Sequence, residues 1–237
     1  MGGWRDMSAE ALEQQYSPSR WSPRLGSDTI IQAHIAATAA GTQRARAGAE
    51  TSLHVPYGAG EGERLDIYYP TEPSGTFPAL VYIHGGYWQC LRGIYLCGHS
   101  AGAHLAAMAL STDWSEYGAV PDIRGAVLVS GVYDLEPILH TYVNDALNMS
   151  REVAQRNSPV LCVAPAPAAC EVLVAVAQHD SPEFRRQSRE YGQALRAAGW
   201  NVSLLDLAGV DHFDIIEKLS EESYVLTQMI LNMVSRA

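Results

Sequence analysis

Gly93-Ile94-Tyr95-Leu96-Cys97-Gly98-His99-Ser100-Ala101-Gly102 is the stretch that decides the fold. Gly-x-Ser-x-Gly alone is short enough to occur by chance, and it gains meaning only between a strand and a helix. Residues 93–97 are an apolar run that reads as the strand, and the small apolar residues 101–110 read as a helix packed close to a sheet. Glycines at 98 and 102 leave room for neighbouring backbone. Ser100 would then be lifted to the sheet edge, in front of the positive end of the following helix.

The same texture continues outward. Residues 79–83 (Ala-Leu-Val-Tyr-Ile) form a continuous apolar run ending in His84-Gly85-Gly86-Tyr87-Trp88. Further buried strands are expected at 125–130, 172–177 and 201–207. Helices are expected at 136–147, at 182–198 with Pro182 in its first turn and Gly199 past its end, and at 220–234. Residues 157–170, rich in proline, read as a loop. Residues 1–27 read as a polar, irregular arm lying on a domain of residues 28–237. An Ala-rich helix is expected over 28–49, with Asp28 as its cap. Short strands at 51–57 and 64–69 flank Gly58-Ala59-Gly60-Glu61-Gly62, which lacks the Gly-Lys-Ser/Thr ending of a phosphate loop and reads as a turn. Buried strands alternating with helices predict an α/β fold, a mostly parallel sheet with helices on both faces.

A serine hydroxyl needs a base within hydrogen-bond reach and a carboxylate that holds the base. After a nucleophile elbow the partners follow in the order acid, then histidine, each on a loop after a buried strand. Asp180 follows the 172–177 strand and His212 follows the 201–207 strand. One helix and one strand fill the interval, so both side chains reach the same sheet edge. Asp134, after the 125–130 strand, is the competing acid. Asp211 and Asp214 flank His212 but point away from it, and Asp206 falls inside a strand. His99 holds the variable position of the elbow, His104 reads as a packing or capping residue, and His179 neighbours the acid. An oxyanion needs waiting N–H donors; the candidates are Gly85 or Gly86, together with Ala101. No His, Cys or Asp cluster has metal-ligand spacing, and no metal is expected.

The chain has 237 residues and a net charge of −10, which leaves no footprint for nucleic acid or an anionic membrane surface. Four cysteines without a Cys-x-x-Cys pair fit a reducing compartment. Residues 1–10 lack the apolar core of a secretion signal, and no apolar run approaches the ~20 residues of a membrane span.

Taken together, His84-Gly85-Gly86-Tyr87-Trp88 and the 93–104 stretch closely resemble the animal kynurenine formamidase (arylformamidase) family within the α/β-hydrolases. The resemblance extends to residues 15–21, 54–58, 154–159, 180–184 and 210–213. It implies hydrolysis of N-formyl-L-kynurenine, a small molecule, to L-kynurenine and formate in tryptophan breakdown. It also implies a cytosolic, partly nuclear homodimer without a cofactor, a triad at Ser100, Asp180 and His212, and a motif His84 beside Tyr87 and Trp88 at the aromatic substrate, with a place in the core as the equal alternative for Trp88. A general carboxylesterase and a non-catalytic variant chain are the alternative readings.

One departure stands out. The family places a strand and two helices between the His84 motif and the elbow, whereas here His84 and Ser100 are 16 positions apart. Residues 89–92 alone join Trp88 to Gly93. The missing piece exceeds ~30 residues at usual element lengths, and four extended residues reach at most ~14 Å. The sheet is therefore expected to lack one central strand and two helices, opening in its middle or re-pairing. Such a shortened product, as from a skipped exon or a mispredicted gene model, is expected to keep the catalytic residue types while losing stability and turnover.

Overall fold

The computed structural model describes residues 4–60, 63–70, 79–83, 94–118, 121–166 and 170–235. The chain opens with helix α1 (Ala9–Gln15) and the long helix α2 (Ser27–Gly48), followed by strands β1 (Glu50–Pro56) and β2 (Arg64–Tyr69). Strands β3 (Ala79–Ile83) and β4 (Ile94–His99) follow, then helix α3 (Ala101–Ser111) and strand β5 (Ile123–Val129). Two short helices, α4 (Val143–Leu147) and α5 (Arg151–Arg156), precede β6 (Glu171–Ala177), α6 (Pro182–Ala197) and β7 (Asn201–Leu207). The chain closes with α7 (Asp214–Glu217) and α8 (Val225–Val234).

Strands β3 to β7 form one parallel sheet in sequence order. Alternation along its strands sends residues to opposite faces. Leu96, Ala126, Leu128, Val172 and Val174 pack with α3 and α6, while Cys97, Val127, Val129, Leu173 and Ala175 pack with α7 and α8. Burial on both faces explains why these strands read as continuous apolar runs, each large side chain contributing about 1.5–3 kcal/mol. The α3 side is built from Ala103, Ala106 and Ala107, all fully buried, which lets the helix backbone sit close to the sheet.

Strands β1 and β2 pair antiparallel through the expected turn, in which Gly60 N–H donates to Glu63 Oε2 at 2.6 Å. Among the described residues this hairpin is a sheet of its own, separate from the five-stranded sheet. Among the described residues the break between the two sheets falls between β2 and β3, and β3 pairs directly with β4. Among the described residues β3 is an edge strand, with Leu80 and Tyr82 48% and 46% exposed.

Several local expectations change. The arm is not wholly irregular: α1 forms because Ser8 Oγ accepts the Ala11 N–H and Leu12 is buried beneath it. Helix α2 begins at Ser27 after Gly26, with Asp28 inside the first turn rather than at the cap. The helix expected over 136–147 is broken into a 3-10 turn, Glu136–His140, and α4. The break is at Thr141, whose N–H and hydroxyl both donate to the Ile138 carbonyl. The last helix starts at Val225, after an extended Tyr224, rather than near Ser220.

Candidate active site

Ser100 sits between β4 and α3 with φ 55° and ψ −118°. A left-handed φ on a side-chain-bearing residue costs on the order of 1–3 kcal/mol and persists only where the surroundings impose it. Here the Ser100 N–H donates to the Val129 carbonyl at 2.9 Å, and the Ser100 carbonyl accepts the N–H groups of Ala103 and His104. Gly98 is indispensable to the turn. A Cβ there would lie 2.2 Å from the Gly102 carbonyl oxygen and 2.7 Å from the Ala103 nitrogen. Ala101 opens α3, so its N–H is among the helix-end donors without an intrahelical acceptor.

The loops after β6 and β7 bring Asp180 and His212 together, both buried. His212 Nδ1 lies 2.6 Å from Asp180 Oδ1. The other carboxylate oxygen accepts the Ser130 hydroxyl at 2.5 Å and the Ala177 N–H at 2.9 Å. A carboxylate that accepts Nδ1–H leaves the Nε2 lone pair available to take a proton. His99, next to the elbow serine, donates from Nε2 to the His212 carbonyl at 2.8 Å, and the two rings lie 4.6 Å apart. The Phe184 and His212 rings pack nearly perpendicular, with centroids 5.2 Å apart. Elbow, acid and histidine thus share the carboxyl edge of one parallel sheet, where open α/β sheets hold ligands.

Asp134 does not join them. Its carboxylate accepts the Glu136 N–H at 3.0 Å, and burial pushes its pKa upward. The Asp211 carboxylate points away from the ring, bonded to the Phe213 and Asp214 N–H groups. His104 Nε2 donates to the Asn157 carbonyl at 2.7 Å, and burial lowers its pKa, so it is a structural tie. His179 contributes its backbone N–H to Val210. Asp206 lies in β7, paired with Arg185 and Arg189.

His84, Gly85, Gly86, Tyr87 and Trp88 lie outside the described residues. The register pairs Ile83, the last residue of β3, with Gly98 of the elbow strand. Sequence reasoning missed Ser130, which has φ 47° at the end of β5 and anchors Asp180. Its only signal was its address, the end of the buried strand that neighbours the elbow strand. Among the described residues no group of three or more His, Cys, Asp or Glu could hold a metal ion, and no helix is long and apolar enough to cross a membrane.

Comparison with known proteins agrees with this architecture. Residues 89–215 match a sequence family described as alpha/beta hydrolase fold. A solved protein from Silicibacter assigned as a thioesterase superposes with a TM-score of 0.71 at 22% identity, covering 93% of this chain and 98% of that one. A truncated carbohydrate esterase from gut microbiota gives 0.58 at 14% identity, covering 78% and 96%. At these identities both speak for the fold alone. Kynurenine formamidases from Danio rerio and Salmo salar are each 45% identical, with the whole of both chains covered. The aligned span with the Danio protein is 293 residues, against 237 here, so at least 56 of its positions face no residue of this chain. The chain therefore belongs to the kynurenine formamidase family, hydrolases built on the α/β-hydrolase fold.

Proposed function

We propose that this chain hydrolyses N-formyl-L-kynurenine to L-kynurenine and formate by serine catalysis, at a rate reduced by its shortening. The observation that carries the reading is the 2.6 Å contact of Asp180 with His212 at the sheet edge that also presents Ser100. In this reading Ser100 Oγ attacks the formyl carbon while His212 Nε2 takes its proton. The oxyanion is received by the Ala101 N–H and by Gly85 or Gly86. His212 then passes the proton to the aryl nitrogen, which departs as L-kynurenine and leaves a formyl ester on Ser100. Water, deprotonated by His212, attacks that ester, and His212 returns the proton to Ser100 Oγ as formate leaves. Tyr87 and Trp88 border the aromatic ring, with His84 supporting the motif. The family likeness also supports a homodimer in the cytosol and, in part, the nucleus.

The reduction in rate follows from topology. Ten residues, 84–93, join the carboxyl end of β3 to the amino end of its parallel neighbour β4. Parallel crossovers usually take a dozen or more residues and a helix. The same short segment must also pose the oxyanion glycines, beside a strand with no partner on its other side among the described residues. Loss of one such donor slows acyl transfer by about two to three orders of magnitude.

Treating the protein with a fluorophosphonate and mapping the adduct by peptide mass spectrometry tests the chemistry. Labelling confined to Ser100 and absent from Ser100→Ala is expected. An unlabelled, cooperatively folded protein would instead favour the non-catalytic variant. Faster turnover of aryl esters than of N-formyl-L-kynurenine would favour a general carboxylesterase.

A further inference from the structure

The turn that carries His212 is closed by its own hydrogen bonds. Asp211 Oδ1 accepts the N–H groups of Phe213 and Asp214, both at 2.9 Å, and Asp214 Oδ1 accepts the Asp211 N–H at 2.5 Å. Two carboxylates thereby lie together at the turn, and the Asp211 side chain is fully shielded from solvent. Such a pair needs a countercharge to remain in place.

Arg24, from the amino-terminal arm, supplies it. Its Nε donates to Asp211 Oδ2 at 2.8 Å and its Nη2 to Asp211 Oδ1 at 3.0 Å, a two-point grip on one carboxylate. Its Nη1 donates to Glu217 Oε2 at 3.1 Å, at the end of α7, and its Nε lies 3.8 Å from Asp214 Oδ2. The Ser22 hydroxyl also donates to Asp211 Oδ2. On the far side of the turn, His34 of α2 meets Glu217 Oε1 at 2.8 Å, and Lys218 lies 3.5 Å from Asp214.

We propose that Arg24 is a positioning residue: through Asp211 it locks the 211–214 turn and so sets the His212 ring against Asp180. The proposal rests on the hydrolase reading only in giving that ring a catalytic purpose. A planar guanidinium makes the two-point contact and an ammonium does not. Arg24→Lys should therefore fall between the parent and Arg24→Gln.

The test follows two signals in the full chain. One is the strongly deshielded proton shared by His212 and Asp180, read by proton NMR; the other is the rate of fluorophosphonate labelling at Ser100. Val202→Ala, at the opposite end of β7, serves as a variant that loosens the core without touching the turn. Arg24→Gln is expected to broaden the proton signal and slow labelling tenfold or more. Arg24→Lys should recover part of both, and Val202→Ala should leave both at the parent level. Parent-like signals in Arg24→Gln, an equal loss in Val202→Ala, or no such proton in the parent would overturn the proposal. A proton that depends on Arg24 in a chain that never labels at Ser100 would support the positioning role and overturn the hydrolase reading instead.

Discussion

His212 Nδ1 and Asp180 Oδ1 stand 2.6 Å apart although 32 positions separate them in sequence. The contact exists because β6 and β7 are parallel neighbours, so the loops after them leave the sheet side by side. Asp180→Asn keeps the size of the side chain but presents an amide that favours the wrong histidine tautomer. Labelling of Ser100 by a fluorophosphonate should fall by about three to four orders of magnitude. Circular dichroism should still show a folded chain.

Gly98→Ala tests the elbow itself. The added methyl meets backbone at 2.2 Å, which no rotamer change relieves. Thermal unfolding should shift down by several degrees, and the labelling of Ser100 should disappear even in molecules that remain folded.

The thiols report whether the shortened chain keeps its sheet closed. Burial pushes Cys97 and Cys170 up to about 12, so both stay protonated and covered near neutral pH. Alkylation of the native protein at pH 8 should modify Cys162, which is partly exposed, and spare Cys97 and Cys170 until denaturant is added. The sign of the pH dependence follows from the same shift. A group whose folded pKa is raised stabilises fully below its unfolded value. That stability declines as pH rises from about 9, the ordinary thiol value, towards 12. Urea titrations should show a falling midpoint across that interval, and a smaller fall in Cys97→Ala.

Among the described residues β3 ends the five-stranded sheet, and such an edge carries a cost in solution. An apolar strand edge with unpaired backbone groups pairs readily with other chains. Replacing Leu80 or Tyr82 with lysine should lower light scattering of the concentrated protein, with little effect on the unfolding midpoint.

How much of this was legible in the sequence depends on the range of the interactions. The elbow was readable because its constraints are local: apolar residues before Ser100, small ones after it, and Gly98 where the helix backbone passes. Asp180 and His212 were readable from their addresses after buried strands. Among the described residues, the separation of the β1–β2 hairpin from the five-stranded sheet accords with the shortened spacing between His84 and Ser100. Ser130, His99 and Arg24 were not, because each acts through a contact made only in three dimensions. The same holds for α1, where Leu12 is buried against the body, and for the break at Thr141, which a periodicity reading smooths over.

The central claim is tested most directly by following formate release from N-formyl-L-kynurenine with the purified chain and its Ser100→Ala variant side by side. Slow turnover that vanishes in Ser100→Ala is the predicted result. Formate release that is equal in the two proteins, or absent from both, would contradict it.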